Sequence, residues 1–353
     1  MNVFFVETPL QLVNAIEAKH SLSLSDNHLV ILLSEIYPVE RFRTLLSDEP
    51  WESVRYVESR GDSGSGFRRR LRELSSPRLR NYFDTFGLLG LRRRLDRLAG
   101  TLGQVDRLFV GNYFLDHMRH LTNRVAHKEL VLLDDGTTAL GVAAERRKAG
   151  EAGLGPPRRP WRQQLVDRFI GWSLAQAQNA TFFTMYDLAV GPSDRIVQHQ
   201  YEFLRQRAAA QATSDEVWFL GQTLYYEGIT EDAYLAQIRL VAERYADRSF
   251  VYLPHKGELP GRIDRIHRDL GVSVRTFEVP IEYQLAMRGP LPRILASFYS
   301  SALENCRIIF GPQLTIEAIY LDPALLPQAP EFVRTVYDYY ESKTCDHFHV
   351  VRL

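Results

Sequence analysis

At 353 residues, with 45% hydrophobic and 24% charged side chains, the chain has the make-up of a soluble globular protein, which excludes a disordered or fibrous polymer. This length exceeds the size at which one core stops growing, so about two domains are expected. The 43 basic and 43 acidic residues cancel to zero formal charge, leaving no global field to attract nucleic acid; any basic surface has to be regional.

In chain order, Val3–Val6 reads as a strand, and a helix starts at Pro9, where proline is tolerated in the first turn. His28–Leu33, Val54–Val57, Arg107–Val110 and Leu130–Leu133 read as further strands, spaced widely enough for crossover helices. Thr181–Thr184 is expected to close this first sheet, followed by a polar helical stretch through Ala208 to Ser214. A second series runs through a strand at Glu216–Leu220, a helix over Glu231–Tyr245, and strands at Ser249–Leu253, Val272–Phe277 and Arg307–Phe310. The fold class predicted is α/β, with two Rossmann-like doubly wound domains facing a central cleft. Their expected bounds are 1–200 and 215–330, with 331–353 packing back on the first domain.

Cys306 and Cys345 lack metal-site spacing and suggest a reduced protein without a disulfide. Glu7 interrupts Val3-Phe4-Phe5-Val6, no signal peptide is read, and no run approaches the roughly 20 apolar residues that span a bilayer. A cytoplasmic location, or one at the inner face of the cytoplasmic membrane, is expected. Basic stretches lie at Phe67–Arg72 through Leu91–Leu95 and at Pro156–Arg162. Arginines interleaved with Leu, Phe and Trp suit either a solvated helix face or a surface for a membrane or an anionic substrate. No nucleic-acid reader motif accompanies them.

Two motifs carry the chemistry. Asp134-Asp135-Gly136 follows the apolar run Leu130–Leu133, and His255-Lys256 follows Phe250–Pro254. In a doubly wound sheet the chain leaves each strand's carboxyl end into the ligand crevice, so carboxylates and an imidazole there are placed for acid–base work. Each motif also has a bland reading: an Asx turn for the aspartates, a backbone-bonded histidine, and a helix cap for Ser297, Ser300 and Ser301.

The ordered set Glu7-Thr8-Pro9-Leu10-Gln11, Asp134-Asp135-Gly136, Leu220-Gly221-Gln222-Thr223, His255-Lys256-Gly257-Glu258, Glu282 and Ser297–Leu303 resembles the bacterial sialyltransferases and polysialyltransferases of the GT-B fold, from Val3 to about Phe310. The resemblance implies Asp135 as the base that deprotonates an acceptor hydroxyl and His255 as the acid at the departing phosphate. It implies Glu282 on the cytidine ribose and Ser297, Ser300 and Ser301 as phosphate contacts. Asp134, Gly136, Gly221, Gln222 and Lys256 join them around the donor. Thr8 and Gln11 lie on the first βα loop, where acceptor or donor would touch. The chain departs from the family at Lys256, which replaces a proline.

The implied reaction is inverting transfer of sialic acid, or a related nonulosonic or ulosonic acid, from its CMP ester to a hydroxyl of a glycan or lipid-linked glycan. Monophosphate is a fair leaving group, so no metal and no cofactor beyond the CMP-sugar donor are expected. The neighbour Asp134 is expected to raise the pKa of Asp135. Two alternatives stand beside this reading: an NDP-sugar-dependent transferase or epimerase on the same fold, and a non-catalytic glycan-binding or assembly protein at the membrane.

Overall fold

The computed structural model describes residues 1–58, 77–136, 138–152 and 159–353, which form two compact units, Met1–His199 and Gln200–Leu353. The first basic stretch lies outside the described residues up to position 76, as do positions 156–158 of the second.

The first unit is a seven-stranded, all-parallel sheet. Its strands are β1 (Asn2–Val6), β2 (Asn27–Leu33), β3 (Ser53–Glu58), β4 (Gln104–Val110), β5 (Ala126–Leu133), β6 (Thr181–Thr184) and β7 (Arg195–Gln198), ordered β3-β2-β1-β4-β5-β6-β7. Val3 to Val6 are fully buried, as expected of a central strand covered on both faces. Phe4 stacks on its cross-strand partner Phe109 with ring centroids 4.1 Å apart, fixing β1 against β4 where strand order reverses. Thr8 caps the helix Pro9–Ser21 by accepting from the Gln11 amide.

The second unit repeats the plan with six parallel strands: β8 (Glu216–Leu220), β9 (Ser249–Leu253), β10 (Ser273–Val274), β11 (Ile294–Ser297), β12 (Thr315–Ile319) and β13 (Phe348–Val351), ordered β10-β9-β8-β11-β12-β13. Both sheets therefore have a switch point, between β1 and β4 and between β8 and β11. Two doubly wound domains in one α/β chain are the make-up expected of a GT-B-like protein.

Several elements differ from expectation. Thr181–Thr184 does not close the first sheet, because β7 pairs outside it and displaces most of the helix expected there, which is confined to Glu202–Ala208. All four β7 residues are exposed, so this edge strand carries no apolar signature. Arg307–Phe310 is the end of the helix Ser301–Phe310, not a strand; its apolar run is the buried helix face bearing Cys306, Ile309 and Phe310. The strand expected over Val272–Phe277 is only Ser273–Val274. Residues 331–353, expected to return to the first domain, supply the helix Pro330–Ser342 and the last strand of the second sheet.

Candidate functional site

In the first unit, the residues after β1, β4 and β5 converge on Asp135. The Asn112 amide donates to Asp135 Oδ2 at 3.0 Å. Gln11 and the Thr8 hydroxyl also bond the carboxylate. Gln11 Oε1 is held in turn by the Glu7 amide at 2.8 Å. Burial raises the Asp135 pKa, the three neutral donors pull it back, and the nearby Glu7 charge adds to the rise. Glu7 itself meets His117 Nε2 at 2.7 Å. Gly111 is required for this convergence, since a Cβ there would stand 2.2 Å from Gln11 Oε1.

Asp134 does not share the site. Successive residues leaving a strand point to opposite sides, and Asp134 turns inward, 2% exposed, accepting from the Met185 amide at 2.8 Å. Desolvation pushes its pKa up to about 7. The Glu7 charge is the neighbour named in the rise at Asp135, the Asp134 and Asp135 charges oppose each other as well, and Asp134 is a buried group bonded to the Met185 amide. Gly136 takes φ +57°, the left-handed turn that redirects the chain after the pair.

In the second unit, His255 follows β9. Its Nδ1 accepts from the Gly257 amide at 3.2 Å, so a neutral ring carries its proton on Nε2. Desolvation lowers the His255 pKa, which makes it a neutral hydrogen-bond donor rather than the cation of this loop. That role falls to Lys256, whose pKa desolvation lowers and the Glu282 charge pulls back up. Glu258 ties the loop down, accepting from the His255 amide at 2.7 Å and the Tyr252 hydroxyl at 2.7 Å. Glu282 is fully enclosed with a raised pKa and accepts from Asn305 Nδ2 at 2.7 Å. Asn305 Oδ1 is buried and has no partner among the described residues. Glu282 and Asn305 thus form a buried, hydrogen-bonded pair that still has an acceptor oxygen to satisfy.

The remaining donor-side candidates are mostly committed to the fold. Ser297 is fully buried and its hydroxyl donates to the Leu220 carbonyl at 2.8 Å, so it is no phosphate contact. Ser300 caps the helix Ser301–Phe310, leaving Ser301 as the exposed serine at that helix start. The Gln222 side chain clamps the backbone N–H and C=O of Tyr299, which locks β8 to β11 at the switch point. The Gly221 and Gln222 amides are likewise spent, on Leu253 O and the Tyr234 hydroxyl. A Cβ on Gly221 would meet the Tyr252 hydroxyl at 2.2 Å, so this glycine serves close packing.

Asn112, His117 and Asn305 escape a reading by motif. Asn112 carries the one available signal, as a polar residue just past a β-prone run.

No family model matches the chain, and no curated protein does. Among solved structures it is similar to a putative UDP-N-acetylglucosamine 2-epimerase from Listeria monocytogenes, at 10% identity over 90% of this chain and 78% of that one, TM-score 0.49. It is also similar to CalG4, the calicheamicin glycosyltransferase, at 12% identity over 99% and 85% of the two chains, TM-score 0.47. A UDP-GlcNAc 2-epimerase from Neisseria meningitidis bound to UDP-GlcNAc matches at 12% identity over 90% and 82%, TM-score 0.46. None of these three is a sialyltransferase.

Proposed function

We propose that the chain is a glycosyltransferase that uses a nucleotide-activated sugar, with Asp135 as its base. One observation carries this reading: a carboxylate at the carboxyl end of a central strand, its pKa raised by burial and its orientation fixed by three neutral donors. In the step proposed, Asp135 takes the proton of an acceptor hydroxyl as that oxygen bonds to the anomeric carbon. The bond from that carbon to the phosphate oxygen breaks, and inversion follows from the single displacement. His255 Nε2–H and the Lys256 ammonium would receive the phosphate charge, and the exposed Ser301 hydroxyl would be a further donor to it. Glu282 and Asn305 would hold the ribose. With a cation supplied by Lys256, no metal is called for.

The finer reading, drawn from the family resemblance, is that the donor is a CMP-activated sialic or related acidic sugar and the acceptor a glycan. A second reading, an NDP-sugar transferase or epimerase, is favoured by Lys256: a cation in place of proline suits the greater charge of a diphosphate. Two of the similar solved structures are UDP-GlcNAc 2-epimerases by name.

Thermal unfolding with CMP, CDP, UDP and GDP separates the two, since a ligand stabilises the state it binds. Protection by CMP that weakens in Glu282→Ala and Ser301→Ala supports the CMP donor. Protection by UDP or GDP alone rejects it in favour of the second reading, and no protection by any nucleotide rejects both.

A further inference from the structure

The helix Trp161–Ile170 presents an apolar stripe to solvent. Trp161, Leu165 and Phe169 are 65%, 58% and 60% exposed, and their spacing of four places them on one helix face. Phe86, 60% exposed on the helix Pro77–Leu102, extends the stripe, meeting the Phe169 ring edge-on with centroids 6.4 Å apart. Only Asp167 and Ile170 of the helix are buried, so the stripe is not a core face.

Charge flanks the stripe. Arg162 and Arg168 lie on either side of it on the helical wheel, and neither has an acidic partner among the described residues. The Arg162 guanidinium lies over the Trp161 ring, 5.4 Å from its centroid. Nearby arginines are different: Arg159 is paired with Asp116 and Asp167, and Arg92 with Asp96. Arg162 and Arg168, which border the apolar stripe, are thus exposed cations without a compensating carboxylate among the described residues, as is Arg93 on the neighbouring helix.

Single exposed hydrophobic residues are ordinary, but four in contact range with two uncompensated arginines beside them are not. A purely apolar protein partner would account for the stripe and leave the arginines unexplained. An anionic lipid surface accounts for both, because tryptophan and arginine favour the headgroup region while Leu and Phe enter the acyl boundary.

We propose that this face docks peripherally on an anionic membrane, with Trp161, Leu165, Phe169 and Phe86 inserted and Arg162 and Arg168 on lipid phosphates. Among the described residues no helix is long and apolar enough to cross a bilayer, so the helix lies in the surface plane. This docking is independent of the sugar chemistry.

The test is co-sedimentation of the full chain with phosphatidylcholine vesicles made with and without phosphatidylglycerol. Wild type should bind the anionic vesicles and leave the neutral ones largely unbound. Arg162→Gln and Arg168→Gln should each weaken binding about five-fold. The triple change Trp161→Ser, Leu165→Ser, Phe169→Ser should weaken it at least about ten-fold. All of these side chains are exposed, so thermal unfolding should stay near wild type and certify the fold. The proposal is overturned if wild type ignores anionic vesicles, or if either set of variants binds as wild type does. It is also overturned if the triple change converts a dimer to a monomer in sedimentation velocity while vesicle binding is untouched, which would make the stripe a contact between copies.

Discussion

The Asn112 amide donates to Asp135 Oδ2 at 3.0 Å, so a side chain past β4 holds the carboxylate past β5. A donor to a carboxylate favours its ionised form; without it the Asp135 pKa, already raised by burial, goes higher. Asp135 is a base only when ionised, so activity is lost as pH falls through that pKa. Asn112→Ala should therefore move the acidic limb of the kcat/KM profile to higher pH, and Asp135→Asn should cost about 10²- to 10⁴-fold in rate. A limb that stays in place while kcat drops would reduce Asn112 to scaffolding.

Asp134 makes an opposite statement about stability. Its folded pKa, about 7, lies above its unfolded value of about 3.8, so between these the folded state binds more protons. The stability it contributes is present at low pH and lost as pH rises through that window. His199, whose pKa burial lowers to about 3, works in the reverse sense over much of the same range, so the wild-type curve alone hides the effect. The informative quantity is the difference between Asp134→Asn and wild type, since asparagine keeps an acceptor for the Met185 amide. Its Tm advantage should grow from about pH 4 to about pH 7 and level off above; an advantage independent of pH would remove Asp134 as the titrating group.

The periodicity of the chain made the central strands legible, because β1, β2, β5, β8 and β9 are buried on both faces and read as apolar, β-prone runs. It failed where burial and composition part company. β7 is exposed throughout, and the Arg307–Phe310 run is β-branched yet helical. Asp135 in the first unit and His255, Lys256 and Glu282 in the second stand out because ionisable residues past a strand or opening a helix are legible as types. Whether a side chain is free to meet a ligand was not legible. Ser297 and Gln222 are spent on Leu220 and Tyr299, and those bonds bridge residues 77 apart in sequence.

Gly111 tests how the first-domain cluster is assembled. A Cβ there would crowd Gln11 Oε1 at 2.2 Å and Cδ at 2.4 Å. Gln11 can swing aside, but only by giving up the Glu7 amide and Asp135. Gly111→Ala should cost about 1 kcal/mol of stability for the lost bonds and shift the acidic limb upward as Asn112→Ala does. Adding Gln11→Ala relieves the crowding without restoring the donor. The double variant should keep the limb displaced and be no more stable than Gly111→Ala, since the bonds to the Glu7 amide and Asp135 stay lost; a limb that returns to its wild-type position would break the link between Gln11 and Asp135.

Lys256 is the cation proposed to meet phosphate charge. Desolvation lowers its pKa and the Glu282 carboxylate acts in the opposite direction, which supports a charged ammonium. A cation placed for phosphate stabilises a nucleoside diphosphate more than a monophosphate, because Coulomb attraction scales with ligand charge. Lys256→Ala should weaken the affinity of UDP or CDP by about ten-fold, and that of CMP by less. The salt dependence of binding should flatten in the variant as a screened charge is removed. With lysine filling the cation's role, wild-type turnover should be unchanged by EDTA. If the variant keeps full affinity for both kinds of nucleotide, Lys256 serves Glu282 and the fold. If EDTA stops turnover, a metal supplies the charge that Lys256 is proposed to supply.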